Sequence, residues 1–323
     1  GYGLQPFRAL TGEAWLTMCA IVSSEGTQHL MKPDAPTLGA WLREMAESKT
    51  RIVAWNAPFD MAWLIAMGLR REVFACEWLD AMNLWRHVTA SPPFTGLAPK
   101  SYGLKAAVTE RLPAFAGYED GINFDTDDPA ELEKLAEYNI RDARFTLILA
   151  HMFLREMTPA QTRCALIEAA CFPMVAETMV EGIAADRDVA EKLATKLDED
   201  AKLAFVKLAF KCGKTIDEAV LKSPIKLREL LFREWGLPVI KLTDTGGEST
   251  DKDVLSQLAP MDERAGLLHD YREATNNRTK FAMGVINSLD YNGDGRVRPS
   301  ARVYGTVTGR MTYSSNIKVK AHG

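Results

Sequence analysis

The spacing of the apolar residues changes near residue 155, and this change constrains the fold more than any other feature of the chain. Before it, residues 14–22 and 51–55 have the apolar runs of strands, and residues 37–48 between them have helical spacing. From 158 to 211 the spacing is almost continuously helical. The pattern therefore predicts an α/β region followed by a mostly α-helical one.

Strand-like alternation returns at residues 296–304, so we expect three regions, 1–155, 156–290 and 291–323. The chain of 323 residues is long enough for each region to bury a core. A net charge of −4 gives no support to nucleic-acid binding, which has to rest on local patches. The five cysteines include no C-x-x-C pair, and no apolar run approaches a membrane span, so we expect a cytoplasmic protein without membrane contact.

Polar residues follow the second predicted strand and recur on a long predicted helix. Asn56 and Asp60 come directly after that strand, where α/β sheets usually carry their sites. Tyr138 and Asp142 are four residues apart, so they share one face of a helix predicted over residues 128–155. If they converge, two carboxylates and a phenol suit two-metal phosphodiester hydrolysis with Mg²⁺ or Mn²⁺. Taken singly, an Asp after a strand is more often an acid favoured by the helix dipole, and a Tyr four residues before an Asp is commonly a core phenol and a surface acid.

These pairs resemble the second and third motifs of the DEDD exonuclease superfamily, Asn-x-x-x-Asp and Tyr-x-x-x-Asp. The tyrosine is typical of the DEDDy branch found in family A (Pol I-like) DNA polymerases. Over roughly residues 10–155, the resemblance implies an RNase H-like mixed sheet flanked by helices. It also implies that Asp60 and Asp142 bind the metals, that Tyr138 is catalytic and that Asn56 contacts DNA.

Two further segments bear on this resemblance. Asp80, at the end of a short apolar strand, is expected near the site, although a strand-end cap explains it equally well. Residues 100–105 resemble the Ser-x-x-Leu-Lys helix start of these domains. The first superfamily motif, Asp-x-Glu, does not occur before the strand at 14–22, where Glu13 is the only acid. We therefore expect two of the four carboxylates and weak or absent nuclease activity.

The helical region resembles the linker and thumb of family A polymerases, and the last region resembles the start of their palm. The matching segments are Pro173–Asp186, Ser223–Pro238, Thr243–Leu255 and Thr308–Ser315. The last of these is similar to the Thr-Gly-Arg-x-Ser-Ser segment at the palm edge, which implies that Arg310 contacts the minor groove. Arg278, Lys280 and Arg298 would contact phosphates, although for each one a solvated basic surface is an equal alternative.

The resemblance implies a catalytically incomplete N-terminal fragment of a phage-type polymerase with 3′-to-5′ proofreading. The expected partners are primer-template DNA and a single-stranded 3′ end. The palm Asp motif, the fingers Arg, Lys and Tyr, and the His-Asp-Glu turn do not occur before the chain ends at Gly323. One alternative stays open, a DNA-binding module or half of a split polymerase that gains its chemistry from a partner chain. A free-standing DEDD nuclease acting on RNA is disfavoured, because its accessory domain would have no reason to carry Thr308-Gly309-Arg310.

Overall fold

The computed structural model describes residues 5–23, 25–89, 101–124, 126–213, 216–243, 245–303 and 310–314. These residues form two compact units. The first comprises the described residues up to Ile183 together with those from Arg298 onward, and the second runs from Ala184 to Val297. The boundaries predicted near residues 155 and 290 separate domains defined by the family resemblance, which are different from compact units. They stay predictions.

The described part of the chain is mostly helical. Its elements in chain order are β1 (Met18–Ser23), β2 (Gly26–Met31), α1 (Ala35–Glu47), β3 (Ile52–Ala54), α2 (Ala57–Ala66), α3 (Arg70–Ala75), β4 (Trp78–Asp80), α4 (Ala81–Thr89), α5 (Leu104–Arg111), α6 (Pro129–Glu156), α7 (Pro159–Ala169), α8 (Phe172–Glu181), β5 (Ile183–Ala184), α9 (Arg187–Cys212), α10 (Glu218–Lys222), α11 (Pro224–Arg228), α12 (Lys252–Leu258), α13 (Glu263–Asn277), α14 (Met283–Asn292), β6 (Arg296–Val297), β7 (Ser300–Arg302) and β8 (Thr312–Ser314). Short 3₁₀ turns lie at Pro6–Ala9 and Pro113–Phe115, and π-helical segments lie at Glu229–Glu234 and Arg278–Ala282.

The strands of the first unit form separate two-stranded sheets. β1 and β2 make an antiparallel hairpin, β3 and β4 pair in parallel, and β7 and β8 are antiparallel. Within the described residues no strand is hydrogen-bonded to both the hairpin and the parallel pair. The single mixed sheet expected from the sequence is therefore not formed there, because a continuous sheet needs a strand that pairs on both of its edges. Helix α6 instead packs against both β1 and β3.

The first unit buries two apolar clusters. One contains Leu38 and Leu42 of α1, Met61 of α2 and Phe172 of α8. The other lies between α4, α5 and α6, where the rings of Trp85 and Phe153 stack with centroids 6.3 Å apart. The sequence predicted the long helix α6 correctly, because its start is encoded locally. Asp128 caps it by accepting a hydrogen bond from Ala130 N, with proline at the first helical position.

The second unit is built on α9, a helix of 26 residues that packs along α13. Asp186 caps α9 by accepting from Val189 N at 3.0 Å, and Gly213 ends it in the left-handed conformation. The core contains Leu231 from the first π-helical segment and Leu255 of α12, both almost fully buried. The predicted Ser-Pro helix start is confirmed, because Ser223 accepts from Lys226 N at the start of α11.

In the part of the chain that the structure describes, none of the helices combines the length and the apolar character needed to cross a bilayer.

Candidate functional site

The first group of candidate residues lies where β3 and β4 end side by side. Asn56 joins β3 to α2 in the left-handed conformation, with φ 63°. Its backbone N–H donates to Asp80 Oδ1 at 2.8 Å, and the N–H of Met82 donates to the same oxygen at 3.0 Å. Asp80 is 4% exposed. It therefore fastens the β3–α2 turn to the end of β4, as the strand-end cap interpretation proposed.

Asp60 lies in the first turn of α2, close to Asp80. The surrounding protein, and then the negative charge of Asp80, raise the pKa of the Asp60 carboxyl to about 7. The residue as a whole is exposed at the surface. Burial raises the pKa of Asp80 to about 6, against the opposing effect of its backbone hydrogen bonds. Burial and the charge of Asp60 raise the pKa of the Cys19 thiol on β1 to about 11.

The second group of candidate residues surrounds Asp142 on α6. The Tyr118 hydroxyl donates to Asp142 Oδ1, and Tyr138 is also hydrogen-bonded to this carboxylate. The two tyrosine rings stack with centroids 5.7 Å apart. Burial, followed by the contact with Asp142, raises the pKa of both phenols, so both stay protonated donors at neutral pH. Burial also raises the pKa of Asp142, although the two hydroxyls lower it.

A cation completes the surroundings of Asp142. Lys105 Nζ lies 2.7 Å from Glu119 Oε2 and 5.8 Å from the centroid of the Tyr138 ring. Its positive charge lowers the pKa of Asp142. The sequence pointed to Lys105 through the helix start at residues 100–105, and α5 does begin at Leu104. Tyr118 was missed, because it lies in an irregular connection where no periodic pattern marks a functional side chain.

The residues present do not fit the two-metal site implied by the exonuclease resemblance. Among the described residues, no three or more His, Cys, Asp or Glu side chains are grouped to hold a metal ion. Asp60 lies close to Asp80, whereas Asp142 is hydrogen-bonded to Tyr118 and Tyr138. Asp80 accepts two backbone N–H groups, and Asp142 accepts a tyrosine hydroxyl. Glu13 lies 2.7 Å from Arg8 in an ion pair.

The predicted DNA-contacting residues have different surroundings. Arg278 Nε lies 3.4 Å from Asp198 Oδ1 at the start of the second π-helical segment, and Lys280 in the same segment is exposed. Arg298 is half-buried. Its Nε donates to the carbonyl oxygen of Val180 at 2.8 Å, and its guanidinium lies 4.1 Å from the centroid of the Phe7 ring. These are the contacts of a residue that stabilises the first unit, and a role in DNA binding stays a prediction.

Arg310 is exposed just before β8. The rest of the predicted Thr-Gly-Arg segment before it, Thr308 and Gly309, lies outside the described residues. Its proposed contact with the minor groove is likewise a prediction.

Residues 187–319 match the family model described as DNA polymerase family A. DNA polymerase I of Caldicellulosiruptor bescii is 33% identical over 150 residues, which are 40% of this chain and 17% of that protein. The DNA polymerase of Escherichia phage T5 is 34% identical over 106 residues, which are 32% of this chain and 12% of that protein. The POL domain of Pol1 from M. smegmatis, solved in complex with DNA primer-template and dNTP, superimposes with a TM-score of 0.65. It is 21% identical, and the match covers 95% of this chain and 50% of that one.

The fold is therefore that of a DNA polymerase domain. Over residues 187–319, and in its matches to these relatives, the chain is similar to the family A, Pol I-like DNA polymerases. The chain spans only about a sixth of the Caldicellulosiruptor bescii enzyme and about an eighth of the T5 enzyme.

Proposed function

We propose that the chain is part of a DNA-directed DNA polymerase of family A and that its own contribution is to hold primer-template DNA. The observation that carries this proposal is the polymerase-family match over residues 187–319, which spans helices α9 to α14. The motifs for nucleotidyl transfer named above do not occur in the 323 residues. The chemistry of synthesis, with its divalent metals, is therefore assigned to other segments of the enzyme.

The proposed contacts are electrostatic and independent of sequence. Arg278 and Lys280 would bind backbone phosphates, and Arg310 would donate to the purine N3 and pyrimidine O2 acceptors that every base pair presents in the minor groove. One arginine can therefore sense the geometry of a base pair without reading which pair it is.

Fluorescence anisotropy with a labelled primer-template duplex tests this proposal. We expect binding that weakens with salt, and Lys280→Ala should reduce the slope of log affinity against log salt by about 0.9. Lys192→Ala removes an equally exposed lysine from α9 and is the matched control, with an unchanged slope. Absence of duplex binding by the unmodified chain would refute the proposal.

We further propose that the first unit is a DEDDy-type, RNase H-like exonuclease domain whose site is incomplete. The relationship to DEDDy exonucleases is supported by four residues that have the spacings of the second and third motifs, Asn56, Asp60, Tyr138 and Asp142. The contacts of Asp142 and Asp80 described above argue against two bound metals. We expect negligible release of nucleotides from a single-stranded 3′ end in Mg²⁺ or Mn²⁺. Robust release that is abolished by Asp142→Ala would contradict the incomplete site.

We propose more specifically that the polymerase is of phage type. The similarity to the T5 enzyme supports this proposal. The missing motifs can be supplied by the same polypeptide or by a partner chain of a split polymerase. The reading frame on either side of the chain distinguishes these two. Handling DNA would place the protein in the bacterial or phage-infected cytoplasm expected from the sequence.

A further inference from the structure

A groove of about 470 Å³ opens in the first unit at the end of the β1–β2 hairpin. Trp15, Leu16, Pro33, Met67 and two alanines form its apolar lining, and Lys32 is its charged residue. Among the residues that the structure describes, none that lines this groove is acidic. Met67 follows the end of α2, seven residues after Asp60, so this groove and the candidate site are about 10 Å apart along that helix.

Trp15 presents an aromatic surface at this groove. Its side chain is 67% exposed, whereas Trp63, Trp78 and Trp85 of the same unit are buried. A single exposed apolar residue needs no explanation, but an exposed indole in the wall of a groove of ligand size is a candidate for stacking. Base–aromatic stacking is insensitive to base identity, because every base has a π face.

Lys32 is held in a conformation that lysine disfavours. Its φ is 45°, in the left-handed region that costs a residue with a side chain roughly 1–2 kcal/mol, and Pro33 restricts it further. Its N–H donates to Thr17 O at 2.8 Å, which fixes the residue at the end of the hairpin. Glycine would adopt this backbone at lower cost. The hydrogen bond and the proline together hold the Lys32 backbone in a fixed place beside the groove.

An aromatic wall and one cation, with no acid between them, are complementary to a ligand that is both aromatic and anionic. We propose that the groove binds one nucleotide of single-stranded DNA, with its base stacked on Trp15 and its phosphate paired with Lys32. Only an unpaired base can offer its face to the indole, so duplex DNA is excluded. The inference rests on the proposed function, which brings a single-stranded end to this protein.

The test measures binding of fluorescein-labelled (dT)₁₂ by anisotropy. Trp15→Ala should weaken binding by roughly 5- to 150-fold, the range of one stacked base, and Trp15→Phe should recover part of the loss. Lys32→Gly should weaken binding and reduce the salt slope by about 0.7. Lys49→Gly is the matched control, because Lys49 has a similar φ of 55° away from the groove. Phe210→Ala, which removes an 84% exposed aromatic from α9, is the control for Trp15.

Each outcome decides one of the two proposals. Unchanged (dT)₁₂ affinity in a folded Trp15→Ala variant would overturn the groove assignment, and binding of blunt duplex by the same variant would leave the proposed function standing. A chain that binds no duplex but loses (dT)₁₂ affinity on Trp15→Ala would refute the proposed function alone. Binding of free dTMP as tight as that of (dT)₁₂, with the same loss in Trp15→Ala, would overturn the assignment to single-stranded DNA.

Discussion

Replacing Asp80 by asparagine tests the electrostatics of the candidate site most directly. Asp80 is 4% exposed, and its Oδ1 accepts hydrogen bonds from the backbone N–H groups of Asn56 and Met82. The asparagine carbonyl can keep both hydrogen bonds, so Asp80→Asn removes the ionisation and preserves the acceptor. The variant therefore separates the charge of Asp80 from its role in the β3–α2 turn.

The expected effect depends on pH. Burial raises the pKa of Asp80 from 3.8 to about 6, so the folded state binds more protons than the unfolded state between these values. The stability that Asp80 contributes is therefore lost as pH rises from about 4 to 6. A shift of about two pKa units corresponds to about 3 kcal/mol. Relative to the unmodified chain, Asp80→Asn should gain about 3 kcal/mol in free energy of unfolding between pH 4 and pH 8.

Urea denaturation at pH 4, 5, 6, 7 and 8, followed by tryptophan fluorescence, measures this difference. The signal reports mainly the first unit, because every tryptophan except Trp235 precedes residue 184. Any destabilisation by the asparagine amide that does not depend on pH cancels, because only the change of the free-energy difference with pH is compared. Asp34→Asn is the matched control with a flat difference in this range, because hydrogen bonds to Thr37 lower the pKa of that helix cap below 3.8 and its contribution is lost only at more acidic pH. A difference for Asp80→Asn that stays flat from pH 4 to pH 8 would refute the reasoning.

Three further perturbations probe other parts of the chain. Tyr118→Phe removes a hydroxyl donor to a carboxylate and should cost the first unit about 1.5–3 kcal/mol in urea denaturation, whereas no change would show that the hydrogen bond is not formed. Asp251→Ala removes a helix cap and should cost about 1 kcal/mol, while Asp251→Asn keeps most of it. Contacts with Lys241 first, and with the helix N-terminus, lower the pKa of Asp251 to about 2, so its contribution should be lost as pH falls from about 4 to 2. Leu231→Ala, at a fully buried position, should cost about 3–5 kcal/mol by circular dichroism, and Ile225→Ala, at a 76% exposed position, should cost little.

The sequence predicted those features whose cause is local. The start of α6 follows from Asp128 and the proline after it, and the start of α11 follows from Ser223 and Pro224. The spacing of Tyr138 and Asp142 correctly placed both side chains on one face, since both share contacts with Tyr118. Features of this kind depend on residues at most a few positions apart, and a single sequence shows them.

Features that depend on distant pairs were beyond a single sequence. The partner of Asp142, Tyr118, is 24 residues away in an irregular connection, and no spacing rule relates the two. Arg298 is a second example. The sequence shows a basic residue there, but it does not show that its partner is the carbonyl of Val180, 118 positions earlier. The pairing of the described strands into separate two-stranded sheets was not predicted either, since strand pairing is decided by contacts across the whole unit.

Three exposed lysines of the second unit are paired with carboxylates, so the proposed DNA binding depends on few cations, in keeping with the net charge of −4. Lysine–carboxylate pairs join Lys202 to Asp198, Lys211 to Glu263 and Lys241 to Asp251 at 2.6–2.8 Å. These pairs neutralise charge at the surface of the second unit, although Arg278, which also lies near Asp198, is one of the proposed phosphate contacts. The two proposed phosphate contacts, Arg278 and Lys280, give a salt slope near −1.8, so duplex affinity should fall about 12-fold between 50 and 200 mM salt. A slope near −10 would require the paired lysines to exchange their carboxylates for phosphates, which is contrary to the role assigned to them.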